Sequence, residues 1–366
     1  MKIEVLRENL ERAVSVAAKV SNKNLSLPVL GCILLSGEGG QVKLQATNLD
    51  LSILVNLKAK LIEDGVVAVP SQIFYQTMSA LTDQKLTLTT TGNTLTIEGE
   101  RGTTSLSLID PSEFPKLPQV KKGEGSEIMI PAHTLGATLR SVAFSASTSS
   151  VKPELSSVCL SLEKGELVAA ATDSFRLAEV RVPLKTKNSF GPTLLPARNI
   201  NDILRTLEAE DEVEIRIGEN QISLVSDFAT LTSRTIDGSF PDYQSIIPRE
   251  FVVSATCLKE DAVQAFRKIS IFTDSFNQVH IAMKPSEKTF TVRAVNASVG
   301  ETTDHVPAAL EGEDLDINFN AKYVTDALSS ISGDSIAFSV AGAGRPMVIR
   351  DVPNKGFTYL VMPMNR

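Results

Sequence analysis

Thr172-Asp-Ser-Phe-Arg176 is the polar cluster of this 366-residue chain whose residue types could do chemistry. Asp173 or Ser174 could serve as a nucleophile only with a base in hydrogen-bond reach, and no such base can be named. The other reading is a turn in which the Asx side chain bonds its own backbone. His133, His280 and His305 are scattered, with no further ligand at metal-binding spacing. Cys32, Cys159 and Cys257 form no CxxC pair, which predicts buried free thiols and no zinc site. Gly342-Ala-Gly-Arg345 lacks the Lys-Ser/Thr of a phosphate loop and reads as a hairpin tip. No HExxH, GxSxG, Walker or Rossmann pattern occurs. The residues therefore predict a binding or structural protein without a catalytic site, metal or cofactor.

The elements that would position this cluster repeat. Val69–Leu81, Leu195–Leu207 and Phe319–Ile331 align without gaps at intervals of roughly a third of the chain. Each carries one apolar helical stripe: Phe74, Thr77, Met78, Leu81; Ile200, Ile203, Leu204, Leu207; Val324, Ala327, Leu328, Ile331. An earlier helix also recurs, with Leu10, Ala13, Val14 and Ala17 matched by Leu135, Thr138, Leu139 and Val142. Leu258, Asp261, Ala262 and Ala265 make the third set. These opening helices are expected within residues 3–23, 127–148 and 251–274. Period-two runs follow each one, as in Ile33/Leu35, Val158/Leu160 and Ile281/Met283. Thr172-Asp173 matches Thr47-Asn48 and Val295-Asn296, a strand exit in every copy, so the repeat favours the turn reading. The pattern predicts an α+β protein of three tandem domains, 1–123, 124–248 and 249–366. Each would have antiparallel sheets with two helices on one face.

Net charge is −7, which by itself counts against a nucleic-acid-binding domain, although the opening helices are less acidic than the rest. Without tryptophan, and with 5% aromatics, a single-strand stacking platform has little support. No apolar run approaches the roughly 18 residues of a membrane span, which predicts a soluble, cytoplasmic protein. Two other classes stay open on these grounds: an enzyme with an active site between copies, motivated by the Thr172 cluster, and a scaffold that binds proteins only.

Further motifs narrow the choice. Leu27-Pro-Val-Leu-Gly31, Ala171-Thr-Asp-Ser-Phe-Arg-Leu-Ala178, Asp237-Gly-Ser-Phe-Pro-Asp-Tyr243, Phe319-Asn-Ala-Lys-Tyr323 and Tyr359-Leu-Val-Met-Pro-Met364 occur in order along the whole chain. Together they resemble the bacterial DNA polymerase III beta sliding clamp family, a replication processivity factor. The resemblance implies a head-to-tail homodimer forming a six-domain ring around duplex DNA, with helices lining the hole. It also implies tethering of polymerase, clamp-loader and other replication and repair proteins through short hydrophobic peptides. A topological link needs no tight phosphate grip, which reconciles encirclement with the negative charge.

By position, the resemblance places a peptide cleft at Leu155, Thr172, Ser174, Phe175, Arg176, Leu177, Pro241 and Ile246 of copy two. Copy three adds Asn320, Tyr323, Gly344, Pro346, Val361, Met362, Pro363 and Met364. Leu177, Ile246, Val361 and Met362 are expected as apolar walls, Met364 as a movable flap and Arg176 at the rim. Ser174-Phe175 stands where the family often has Gly-His, which predicts a more apolar pocket, and the tail Asn365-Arg366 also departs. DNA-facing candidates are Lys23, Asn24, Arg140, Lys152, Arg198, Arg205, Arg267 and Lys268. For the dimer contact the resemblance implies Leu106 against Ile271 and Phe272, with Arg101 facing Glu301 or Asp304.

Overall fold

Ile3 and Val5, Ile128 and Ile130, and Val253, Ala255 and Cys257 are buried at alternate positions, and they place a strand before each opening helix. The expected helices at 3–23, 127–148 and 251–274 are therefore shorter than their spans. The boundary carries no local signal, since Leu6 and Leu258 occupy the N-cap positions and neither caps through its side chain.

The computed structural model describes residues 1–21, 27–208, 210–354 and 356–364. Copy one opens with β1 (Lys2–Leu6), α1 (Arg7–Val20), β2 (Cys32–Glu38), β3 (Gln41–Thr47), β4 (Leu51–Leu57) and β5 (Ala59–Glu63). It continues with β6 (Gly65–Pro70), α2 (Ser71–Ala80), β7 (Lys85–Thr91), β8 (Thr94–Glu98) and β9 (Thr103–Ser107). Copy two begins with β10 (Ser126–Pro131), α3 (Ala132–Ala143), β11 (Ser157–Glu163), β12 (Glu166–Thr172) and β13 (Arg176–Pro183). Its second half is β14 (Phe190–Pro196), α4 (Ala197–Leu207), β15 (Glu212–Ile217), β16 (Gln221–Val225) and β17 (Ala229–Arg234). Copy three has β18 (Val253–Leu258), α5 (Lys259–Ile269), β19 (Gln278–Lys284), β20 (Thr289–Asn296), β21 (Gly300–His305) and β22 (Ala308–Gly312). It ends with β23 (Leu315–Asn320), α6 (Ala321–Ser330), β24 (Ser335–Val340), β25 (Met347–Asp351) and β26 (Phe357–Val361). Apart from β5 and β22, every half-copy reads strand, helix, three strands. The fold is α+β, with six α-helices among the described residues.

The two halves of a copy exchange their opening strands, and this welds them together. Strand β1 pairs with β7 of the second half, and β6 pairs with β2 of the first. Sheets also run from one copy into the next. Antiparallel β17 and β4 join copies two and one in an eight-stranded sheet, and β13 and β26 join copies two and three in a nine-stranded one. Two compact units result, residues 1–136 with 199–235 and residues 137–198 with 236–366.

In the first unit the eight-stranded sheet accompanies the five-stranded sheet β5-β1-β7-β8-β9. Leu10, Ala13, Val14 and Ala17 of α1 and Phe74 and Met78 of α2 are fully buried, while Thr77 and Leu81 are half-buried. In the second unit the nine-stranded sheet accompanies β21-β20-β19-β23, over a core that includes Phe266, Phe290, Phe319 and Phe338. Each such side chain contributes about 1.5–3 kcal/mol on burial. Among the described residues no helix is long and apolar enough to cross a membrane.

All three thiols are free and buried. Burial pushes Cys32 and Cys159 up to about 11, and burial with the nearby Asp261 charge pushes Cys257 up to about 12. The thiolate is the reactive form, so a thiol-specific chromogen at pH 8 is expected to label none of them in the folded protein and all three after denaturation. Rapid labelling without denaturant would contradict this burial.

Candidate functional site

The Thr172–Arg176 loop joins β12 to β13 and is held by its own side chains. Thr172 Oγ1 donates to the Arg176 carbonyl at 2.6 Å and accepts from Ser174 N at 3.2 Å. Asp173 Oδ1 accepts from Phe175 N and Arg176 N at 2.9 and 3.0 Å. Copy one repeats this geometry between β3 and β4. There Thr47 Oγ1 donates to the Leu51 carbonyl, and Asn48 Oδ1 accepts from Asp50 N and Leu51 N. Ser174 and Leu49 share the same left-handed backbone, with φ of 79° and 77°. Thr172 and Asp173 are thus turn residues belonging to the fold, and the nucleophile reading has no support from the geometry.

What distinguishes the two loops is the residue that follows. Leu51 in copy one corresponds to Arg176 in copy two, whose side chain is only 11% exposed. Its guanidinium bonds Asp173 Oδ2 through Nε at 2.9 Å and Asp326 Oδ2 through Nη1 at 2.6 Å. It also lies 4.5 Å from the Tyr323 ring centroid. Burial opposes its charge, but the Asp326 hydrogen bond and the surrounding negative charge outweigh that, and its pKa rises. Behind it the Tyr359 hydroxyl donates to the Tyr323 carbonyl at 2.9 Å, and the Tyr359 ring stacks on Phe144. Arg176 therefore ties the copy-two loop to α6 of copy three.

The seams beneath the loops differ as well. Under Arg176, Leu177, Val348 and Leu360 form an apolar cluster covered by Tyr243, Ile247 and Phe251. At matching register on the β4–β17 seam stand Ser52, Ser223 and Thr232. Ser223 and Thr232 share a 2.8 Å hydroxyl bond, and Ser223 Oγ accepts from Val120 N at 3.1 Å. One seam is sealed by hydrogen bonds, whereas the other is built from apolar side chains. At the second seam Phe175 is 62% exposed, Ile246 49% and Met362 37%, whereas the loop at the first seam exposes Leu49, at 46%.

The sixteen residues expected at the cleft all lie in the second compact unit, but in different roles. Leu177 and Val361 are fully buried, so they are not walls; they lie on opposite faces of the paired strands β13 and β26, Leu177 opposite Leu360 and Val361 opposite Arg176. Leu155 and Thr172 are buried too. Arg176 is not at the rim, because two carboxylates and a ring hold it inward. Asn320 caps α6 by accepting from Tyr323 N at 3.2 Å. Met362 N donates to the Phe175 carbonyl and Met364 N to the Asn318 carbonyl, both at 2.8 Å, so the backbone of the expected flap is anchored. Pro346, Pro363 and Met364 are half-buried, while Pro241, Ser174 and Gly344 are exposed, Gly344 with φ of 68° in a hairpin tip. Sequence reasoning missed Asp326, Phe144 and Tyr359. Asp326 had a usable signal, since Asp202 occupies the same place in the repeated helix.

The other candidates are more dispersed. Arg140, Lys152, Arg198, Arg205 and Arg267 are exposed, and Arg205 pairs with Asp202 at 3.5 Å. Lys268 pairs with Asp304 at 3.5 Å and Arg293 with Glu301 at 2.5 Å. Both acids expected to meet Arg101 thus hold partners within the chain, and Arg101 Nη1 donates to Thr82 Oγ1. Leu106 is buried on the terminal strand β9, Phe272 is half-buried against the start of the terminal strand β21, and Ile271, just after α5, is 66% exposed. Lys23, Asn24 and the Asn365-Arg366 tail lie outside the described residues. Among those described, no His, Cys, Asp and Glu group could hold a metal ion.

Three tandem copies of a doubled strand-helix-three-strand unit, with sheets continuous across their junctions, define the sliding-clamp class. Family models for the N-terminal, central and C-terminal domains of the DNA polymerase III beta subunit match residues 1–118, 129–242 and 244–365. The chain belongs to that family and is the non-catalytic sliding clamp that confers processivity on the polymerase. It is 28% identical over 374 residues to the beta sliding clamp of Caulobacter vibrioides and 26% identical over 383 to that of Bacillus subtilis, with 99–100% of every chain covered. Among solved structures, the beta subunit of Thermotoga maritima superposes with a TM-score of 0.94 at 22% identity, over 100% of this chain and 99% of that one. The Bacillus subtilis sliding clamp gives 0.93 at 25%, with the same coverage.

Proposed function

We propose that the recess bordered by Phe175, Ile246 and Met362 receives short hydrophobic peptides of the DNA polymerase and clamp-loader subunits, while a homodimeric ring of this chain encircles duplex DNA in the cytoplasm. The carrying observation is the contrast between the two seams: the same fold position is polar and hydrogen-bonded at the first junction and apolar at the second, where Phe175, Ile246 and Met362 are exposed. Methionine and proline at the edge suit the burial of leucine or aromatic anchors. A sliding clamp from Pseudomonas aeruginosa has been crystallised bound to griselimycin, so this fold has a ligand-bound precedent.

For the ring, strands β9 and β21 each end a sheet, and edge strands seek a partner. Head-to-tail pairing of β9 with β21 of a second subunit would close both edges. Exposed arginines on α3, α4 and α5 supply weak contacts to the phosphate backbone, screened over about 8–10 Å, which permits sliding.

Calorimetric titration with a Gln- and Leu-containing clamp-binding peptide tests the recess. The parent is expected to bind in the micromolar range. Met362→Ala should weaken binding roughly five- to tenfold with unchanged dimer mass, because it removes contact area without adding charge. Parental affinity in Met362→Ala would place the site elsewhere.

A further inference from the structure

Glu179 is a carboxylate in the middle of β13, 6% exposed, at a position where the matching strand β4 carries Leu54. A buried carboxylate is costly unless it is paired and hydrogen-bonded. Arg181 bonds it with both arms, Nε to Oε1 at 3.0 Å and Nη2 to Oε2 at 2.8 Å. The remaining bond comes from the segment that links copy two to copy three: the Tyr243 hydroxyl donates to Glu179 Oε2 at 2.7 Å. Burial, reinforced by the Glu179 charge, pushes the Tyr243 phenol well above its ordinary range, so the hydroxyl stays a donor. The Tyr243 ring packs on the Leu177, Val348 and Leu360 cluster and meets Phe240 edge-on. Its carbonyl accepts from Ile246 N at 3.1 Å, closing the 3-10 turn Gln244–Ile246. One tyrosine therefore fixes the linker that presents Pro241 and Ile246 to the recess. At the first junction Leu54 stands at this position, and the linker is held elsewhere: Ser223 Oγ accepts from Val120 N at 3.1 Å and Arg216 Nη1 donates to the Val120 carbonyl at 3.5 Å.

We infer that Glu179 is a positioning residue for the recess: through Tyr243 it holds the Ile246 wall in its binding geometry before a peptide arrives. The inference rests on the reading of the recess as the partner site. Preordering this wall spares the complex the entropy of immobilising the linker, so its loss appears as weaker binding rather than as an altered contact.

The chain has no tryptophan, so Gln244→Trp, at an exposed position in the turn, gives a single reporter of linker motion. In that background, Tyr243→Phe removes one hydroxyl and keeps the ring. Peptide affinity is expected to fall roughly three- to tenfold, less than the full effect of one charge-assisted hydrogen bond, because the ring keeps part of the linker in place. Tryptophan anisotropy of the free protein should drop and should recover on saturation with the Gln- and Leu-containing peptide. Glu179→Gln, which weakens the same bond from the other side, should act in the same direction and carries the test if Tyr243→Phe does not fold. Unchanged affinity in the variants overturns the proposal, and so does weaker binding with parental anisotropy, which would mean a lost contact instead of a loosened wall. Met362→Ala in parallel separates the two readings. If Met362→Ala binds weakly while the Glu179 and Tyr243 variants behave as parent, the recess stands and the positioning role falls. If Met362→Ala binds as parent, both fall.

Discussion

An Ile271→Asp variant is expected to run as a folded monomer of 39.4 kDa, where the parent runs at about twice that mass. Ile271 follows α5 and is 66% exposed, with Val295 and Val299 also exposed on the same copy. In the isolated chain an aspartate there faces water and costs little. In a closed ring it would enter an apolar joint without a partner. It would forfeit about 1.5–3 kcal/mol of burial and add a desolvation cost of several kcal/mol. More than about 3 kcal/mol in total weakens association over a hundredfold. Leu106 and Phe272 are poorer probes. Leu106 is buried within its own copy, and Phe272 lies 3.9 Å from the Cβ position of Gly300 at the start of β21, so charging either would disturb the fold itself. Light scattering after size-exclusion chromatography at low micromolar concentration decides the matter, and a dimer that survives Ile271→Asp means the joint lies elsewhere.

Replacing Arg176 by leucine should weaken peptide binding roughly thirtyfold, the largest effect expected of any single change in the recess. Leucine is what copy one carries at this register, as Leu51, so the strand accepts the side chain. What disappears is the tie between the Thr172–Arg176 loop and α6, leaving Asp173 and Asp326 without their common cation. Breaking a buried pair can cost 3–5 kcal/mol, but Asp326 is 30% exposed, so about 2 kcal/mol of stability is the better expectation. Adding Asp326→Asn separates the two losses. It relieves a stranded charge and should restore part of the melting temperature, whereas affinity stays low because Tyr323 and the loop remain unlinked. Arg176→Leu binding the peptide as parent does would show that the tie serves stability alone.

The repeat and the α+β character were legible in the chain because both are periodic. Ile200, Ile203, Leu204 and Leu207 share one face of a helix whatever surrounds it, and the alternation in Ile33 and Leu35 survives any tertiary context. Short opening strands such as Lys2–Leu6 were not, because two apolar residues followed by a leucine at the N-cap read equally well as the start of a helix. The Thr172–Arg176 turn could be read from its match to Thr47–Leu51, since its hydrogen bonds are local.

Only tertiary structure decided that one junction is apolar and the other hydrogen-bonded. That difference depends on pairing β13 with β26 and β4 with β17, across 150 residues or more between partners such as Arg176 and Asp326 or 180 between Ser52 and Thr232. The sequence by itself determined the repeated helices, the strand periodicity and the local turn, all governed by neighbours within a few positions. The long-range partners determined which side chains become core, tie or wall, because burial and charge pairing depend on what the folded chain brings opposite, and no local pattern encodes that.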